Sequence, residues 1–292
     1  MILNVSGRTD IIAFYMDWFK NRLESGFIDV RNPFNKSLVS RIYLENVDAY
    51  MFCTKNPSRF LEIIDLIKKP FILHVTLTPY KKDIEPNVID KKVLIEEIKK
   101  ISSVIGSDNL YIRYDPIFLS EKYDVNYHLK AFDKLCNLLD GYVHNYIISF
   151  IDDYKNVRKN MNILKYRDFT EEDYKQIGIG FSESARKHDA SVQTCFEERN
   201  LVEYGFKKGE CLSIEMAYKL TGKVYKKWKA RNCACAEMVD IGVYNTCTHF
   251  CKYCYANFDE KNIKENIKKH NKNSSLLIGE LNDDDIIKER YK

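Results

Sequence analysis

Cys247, Cys251 and Cys254 stand in the spacing C-x3-C-x2-C, three thiols within eight residues. Three thiolates on one short loop can hold three corners of an iron–sulfur cube. A cube with four protein ligands is mainly an electron carrier, whereas one held by three leaves an iron with an open position. Such an iron can chelate a small molecule and pass it an electron. The same spacing suits zinc, with Cys247, Cys251, Cys254 and His249 as candidate ligands. The loop by itself leaves both metals open.

Cys195, Cys211, Cys233 and Cys235 lie upstream in the spacing C-x15-C-x21-C-x-C. Four thiolates are what a closed zinc site or a cube requires. The expectation for this set is a second [4Fe–4S] cluster, with zinc as the alternative. Seven of the nine cysteines therefore fall between Cys195 and Cys254. The first ten residues turn polar too early for a signal peptide. An odd, clustered set of cysteines in such a chain reads as metal ligation in a reducing cytoplasm rather than as a disulfide framework. Cys136, on an apolar helical stripe, and Cys53, within a strand, read as core residues. His74 reads as a core or pocket histidine.

Metal chemistry of this kind needs a frame. Runs rich in β-branched and aromatic residues predict strands at 2–5, 49–54, 71–78, 110–114, 145–150, 191–194 and 239–244. Between them, Phe60, Ile63, Ile64 and Ile67, then Leu94, Ile98, Ile101 and Ile105, then Leu129, Phe132, Cys136 and Leu139 keep helical spacing. Strands alternating with helices predict an α/β fold with a mostly parallel sheet. Six or seven such units suit a full or partial TIM-type barrel. Arg8, Asp10, Thr54, Lys55, Thr78, Glu85, Arg113 and Asp115 follow strand ends, where such a barrel builds its site. Each of them alone reads equally well as a cap or turn residue. Arg113 offers a bidentate fork for a carboxylate. Pro57 and Pro116 read as turn or helix-start residues.

The 292 residues carry a net charge of only +4, with 30% charged residues. That argues against bulk nucleic acid as the main partner. No apolar run approaches the roughly 18 residues of a membrane helix, so no membrane partner is expected. The organisation predicted is one domain over 1–258, with an auxiliary cysteine region at 195–238 and the metal loop at 239–258. A polar, lysine- and asparagine-rich tail at 259–292 is expected on the surface.

The metal loop, with Tyr253 just before its last cysteine and Tyr255, Ala256 and Asn257 after it, resembles the cluster motif of radical S-adenosylmethionine enzymes. The resemblance implies that Cys247, Cys251 and Cys254 bind a [4Fe–4S] cluster and that the open iron takes the amino and carboxyl groups of S-adenosylmethionine. It further implies that Tyr253 lies near the adenine and that a reducing electron donor serves the cluster. The order SGRTD, CTKNP, HVTLTPY, IEPN, RYDPI is similar to the later strands of enzymes related to spore photoproduct lyase. Up to Asn257 the chain closely resembles the family called domain of unknown function 1848, including the CxC of Cys233 and Cys235. In radical enzymes the motif normally follows the first strand, whereas here it stands near the C-terminus. The resemblance thus implies a circular permutation in which the strand at 239–244 pairs in parallel with the strand at 2–5. Arg8, Asp10, Thr54, Lys55, Thr78, Glu85, Arg113 and Asp115 become candidate cofactor or substrate contacts. The substrate stays open among small molecules, peptides and nucleic acids. A reading of another class is an α/β binding protein, stabilised by zinc or an iron–sulfur group, without redox catalysis.

Overall fold

The computed structural model describes residues 1–195, 197, 199–229 and 233–291. Residues 196, 198 and 230–232 of the auxiliary region and residue 292 of the tail lie outside the described residues. The strands, in chain order, are β1 (Ile2–Asn4), β2 (Phe27–Arg31), β3 (Leu38–Tyr43), β4 (Ala49–Thr54), β5 (Phe71–Thr76), β6 (Leu110–Ile117), β7 (Asn145–Phe150), β8 (Ser191–Cys195), β9 (Lys207–Gly209), β10 (Met238–Asp240) and β11 (Ile286–Arg290). Eight of them form one sheet in the order β10-β1-β4-β5-β6-β7-β8-β9, and β11-β3-β2 form a second. Every pairing within the large sheet is parallel.

The α/β class with a parallel sheet is thus the fold, but the sheet is open. Of the full or partial TIM-type barrel of six or seven strands that was expected, the closed form is corrected, since the sheet has eight strands and two free edges. Those edges, β9 and β10, have three residues each. Closure needs every strand to be paired on both sides. Here the chain leaves β9 and β10 after Gly209 and Asp240 to carry cysteines instead of a further ladder.

Both faces of the sheet are covered, as parallel sheets require. Leu3, Tyr50, Phe52, Leu73, Val75, Ile112, Tyr146, Ile148 and Val239 pack one face into the main core with the flanking helices. The helices Lys91–Ile105 and Val125–Leu138 follow the predicted stripes, and Asp90 and Asp124 cap them by accepting from Lys92 N at 2.8 Å and Tyr127 N at 2.7 Å. The stripe at 60–67 forms only the short 3-10 helix Phe60–Ile63. Pro116, expected at a turn, lies inside β6 where its register against β7 shifts. The opposite face carries Ile2, Ala49, Met51, Ile72 and Met238, and it is covered by Leu212, Ala217, Cys233, Cys235 and Ala236. The auxiliary cysteine segment is therefore a layer of the fold, packed on the sheet.

The expected long-range pairing is present. Leu3 lies opposite Val239 and Asn4 opposite Asp240, in parallel. The strand is shorter than 239–244 because the chain turns off at Gly242. A Cβ on Gly242 would stand 2.9 Å from the backbone nitrogen of Arg8, and one on Gly7 would stand 1.9 Å from Asp240 Oδ2. Glycine at both positions lets the loops after β1 and β10 press together.

The tail is more than a polar surface segment. After the helix Glu260–Lys268, Leu276 and Leu277 are buried, and Ser274 O accepts from the indole of buried Trp18 at 2.9 Å. Strand β11 then pairs in parallel with β3. With buried Ile263, three aliphatic side chains anchor this segment, each worth about 1.5–3 kcal/mol.

Two outcomes follow from these contacts. A chain ending at Phe258 should lose about 5 kcal/mol of stability in urea denaturation. A midpoint equal to the full chain's would mean that the tail is a surface appendage. Gly242→Ala should cost about 1–3 kcal/mol through overpacking, and an unchanged melting temperature would contradict the close approach.

Candidate metal centre at the carboxyl edge of the sheet

Parallel strands place all their carboxyl ends on one edge, and the loop of Cys247, Cys251 and Cys254 follows β10 there. Its backbone is tightly turned. Asn245 and Phe250 both take φ of 56°, a left-handed conformation that side chains rarely adopt. The rest of the chain ties the loop down through its carbonyls. Tyr15 OH donates to Thr246 O at 2.6 Å, Asn87 Nδ2 to Thr248 O at 2.8 Å, Asn160 Nδ2 to Lys252 O at 2.7 Å and Asn257 Nδ2 to Cys247 O at 2.8 Å. Asn156 Nδ2 holds Tyr255 O at 2.8 Å.

Burial pushes all three thiols up, Cys251 to about 12, and Cys247 feels the charges of both Cys251 and Cys254. The three thiols thus lie near enough for charge on one to act on another. As thiolates they would repel one another, and a cation or cluster removes that cost. Asn4 Oδ1 and Thr9 Oγ1 near this edge are buried without a hydrogen-bond partner among the described residues. Donor set and orphaned polar atoms both fit a group brought in from outside. No set of three or more His, Cys, Asp or Glu among the described residues is arranged for a single metal ion.

Glu85, from the candidate contacts, lies next to this loop and is 1% exposed. It accepts from Thr78 Oγ1 at 2.7 Å and Lys55 Nζ at 2.8 Å, and also from Tyr253 OH and Lys91 Nζ. Four donors use the acceptor capacity of one carboxylate, so Glu85 organises the site from within. Burial alone would raise it, but Lys55 and Lys91 hold it down to about 2. The two lysines differ. Burial opposes the charge of Lys55, but Glu85 and Cys251 outweigh it and raise the group. Burial and the neighbouring Lys55 charge push Lys91 down despite Glu85. The Lys55 ammonium also stands 5.4 Å over the Tyr253 ring.

Asp10 joins three elements. It caps the helix Ile11–Phe14, accepts from Lys55 N at 2.7 Å and pairs with His249 Nε2 at 2.9 Å. His249 Nε2, from the candidate zinc ligands, is thus engaged by Asp10, while its buried Nδ1 has no hydrogen-bond partner among the described residues. Arg8 lies 4.0 Å from Asp240 and 5.3 Å over the Tyr244 ring. Thr54 turns away from the site, and its hydroxyl accepts from Asn56 N at 2.9 Å in its own turn.

Arg113 and Asp115 form an ion pair, and Arg113 Nη1 donates to Cys211 Sγ at 3.0 Å. The expected cofactor contact thus turns toward the second cysteine set. There Cys195 Sγ and Cys211 Sγ are 2.7 Å apart. Hydrogen bonds from Cys195 and Cys235, with Arg113 and His74 nearby, pull Cys211 well below the ordinary thiol range despite burial. Cys233 and Cys235 are buried beside them. Cys136 is a core residue as expected. Cys53 instead faces polar neighbours, 3.9 Å from Thr76 Oγ1 and within reach of the Arg113 charge.

Residue reasoning did not single out Lys91, Asn87, Asn156 or Asn160. The asparagines hold backbone carbonyls, so their partners carry no side-chain signature. Lys91 opens a helix as an ordinary surface lysine would.

The family model described as Domain of unknown function (DUF1848) matches residues 2–256. The packed tail lies beyond that match. No curated protein and no solved structure matches the chain. No helix among the described residues is long and apolar enough to cross a membrane.

The Glu85 network yields a measurable outcome. Glu85→Gln should destabilise the fold by about 3–5 kcal/mol at neutral pH, because it leaves buried ammonium charge unpaired. Glu85 is held below its unfolded value, so its contribution is present above about pH 4.5 and lost as pH falls toward about 2. The difference in stability between wild type and variant should therefore shrink across that window. A constant difference would mean that the lysines do not depend on the carboxylate.

Proposed function

We propose that this chain, which belongs to the family Domain of unknown function (DUF1848), is a radical S-adenosylmethionine enzyme acting on a substrate still to be identified. The observation that carries the reading is the loop of Cys247, Cys251 and Cys254 at the carboxyl edge of the sheet, its backbone held by Tyr15, Asn87 and Asn160 beside the buried Glu85–Lys55 pair. Held there by the three thiolates and reduced by an external electron donor, a [4Fe–4S] cluster would supply the one electron that breaks a carbon–sulfur bond of S-adenosylmethionine and leaves a carbon radical able to take hydrogen from a substrate.

The chain's own residues prepare the place. Tyr15, Asn87, Asn160 and Asn257 fix the loop backbone before any ligand arrives. Lys55 puts a buried positive charge beside Cys251, which favours a thiolate there. Tyr80 and Phe118 stack at 4.5 Å, and Tyr80 lies 5.8 Å from the Tyr253 ring, forming an apolar wall behind the loop. Such a wall excludes water from a site where a reactive carbon must be shielded. Asp10, through His249 and Lys55 N, keeps the ends of β1 and β4 in register with the loop.

A zinc-stabilised binding protein is separated from this reading by colour and by products. Anaerobically prepared, reduced protein should be brown and should slowly cleave S-adenosylmethionine without added substrate. Changing Cys247, Cys251 and Cys254 together to Ala should abolish cleavage while the circular dichroism stays that of the wild type. Cleavage that survives the triple change would sink the assignment.

A further inference from the structure

The second cysteine set sits apart from the loop that carries the proposed chemistry. Cys195 ends β8, Cys211 follows β9, and Cys233 and Cys235 come from the layer that covers the sheet. Three separate segments thus bring thiols together. Cys211 Sγ receives Arg113 Nη1 at 3.0 Å and lies 2.7 Å from Cys195 Sγ, with Cys235 also within hydrogen-bonding reach. Thiols and a guanidinium drawn together from three segments are a costly way to fill space for packing alone. Apolar residues of similar volume would fill that space without the penalty.

A second observation points to a ligand. His74 is wholly buried, and neither ring nitrogen has a hydrogen-bond partner among the described residues. In register it stands between Cys53 of β4 and Tyr111 of β6, on the sheet face that also carries Arg113. It lies close enough to Arg113 and Cys211 for their charges to act on it. A neutral imidazole left unpaired in a polar, buried corner is expensive unless something occupies that corner.

From this convergence we infer that Cys195, Cys211, Cys233 and Cys235 hold a second iron–sulfur cluster, with Arg113 hydrogen-bonded to a ligand sulfur and His74 facing the cluster. Four thiolates are the donor set of a cube as well as of zinc, and the 2.7 Å between Cys195 and Cys211 is shorter than the ligand spacing of either group. Loading must spread the sulfurs and release the thiol protons. The positive charge of Arg113 offsets part of the negative charge of a four-thiolate cluster and raises its reduction potential. The two sets are linked electrostatically. Lys55 acts on Cys251 and feels Asp115, and Asp115 pairs with Arg113.

The test is iron, sulfide and zinc analysis of the anaerobically prepared full chain, with electron paramagnetic resonance of the reduced protein. The wild type should hold about eight irons, two cubes' worth. The variant with Cys247, Cys251 and Cys254 changed to Ala should stay brown, retain about four irons and show one reduced-cluster signal. In that background Arg113→Gln should keep the iron and move the midpoint potential downward. A folded triple variant without iron, or with zinc in its place, would overturn the inference, and so would a wild type that never exceeds about four irons. An unmoved potential in Arg113→Gln would remove Arg113 from the cluster. None of these measurements uses cofactor cleavage. If the triple variant keeps its iron while the wild type fails to cleave S-adenosylmethionine, only the reading of the first set fails.

Discussion

The parallel pairing of β1 with β10 is the constraint on which the rest of the structure depends. It brings the first strand against one that comes more than two hundred residues later, an ordering whose entropic cost grows only slowly with loop length. What offsets that cost is burial on both faces. Leu3 and Val239 enter the main core, while Ile2 and Met238 enter the opposite one. Asp240 sits where the two loops leave the strands, its Oδ1 accepting from Gly242 N at 2.7 Å. Glycines at 7 and 242 let the loops approach. Without this pair the cysteine loop would have no fixed position relative to Asp10, Lys55 and Glu85, and its thiols would lie on a free chain.

Charge is placed with the same economy. Each cysteine set has one buried cation against it, Lys55 beside Cys251 and Arg113 beside Cys211. Each cation has its own carboxylate, Glu85 and Asp115. A cation without an anion would be too costly to bury, and a cation fully neutralised would do little for a thiolate. Glu85 resolves this by taking two lysines at once. It cannot neutralise both, and Lys55 is raised while burial and the Lys55 charge push Lys91 down.

Strands with clean β-branched and aromatic character were legible from residue type alone. All seven predicted strands are present, and the pairing of β1 with β10 follows from the displaced position of the cysteine motif. The small sheet was not legible. Its strands interleave charge with apolar residues, as Asp29 and Arg31 do in β2, Arg41 in β3, and Lys288 and Glu289 in β11. Two of those charges pair across the sheet, Arg41 Nη2 with Asp29 at 2.8 Å, a pairing that no local pattern announces. Strand β9, two lysines and a glycine, has no strand propensity and exists because β8 offers it a ladder. The cysteines were legible as ligand candidates through their spacing. Which polar residue serves which set was not, because Arg113 and Lys55 both simply follow strand ends. Only the folded side chains show that Arg113 donates to Cys211 while the charge of Lys55 acts on Cys251.

Read across the sheet from β10, the strands run β10, β1, β4, β5, β6, β7, β8, β9. From β1 onward that is the order of the chain, and only β10 is out of sequence. The cysteine loop therefore occupies the position of a loop after the first strand of a sequentially wound sheet, although it is written near the end of the sequence. A site of this kind depends on which edge and which neighbours a loop has, since every parallel strand delivers its carboxyl end to the same side. Moving one strand from the start of the sequence to its end preserves those neighbours provided that its hydrogen-bond partner is unchanged. The register Leu3–Val239 meets that condition. The loop after β10 then meets the loops after β1, β4 and β5, and through them Asp10, Lys55 and Glu85.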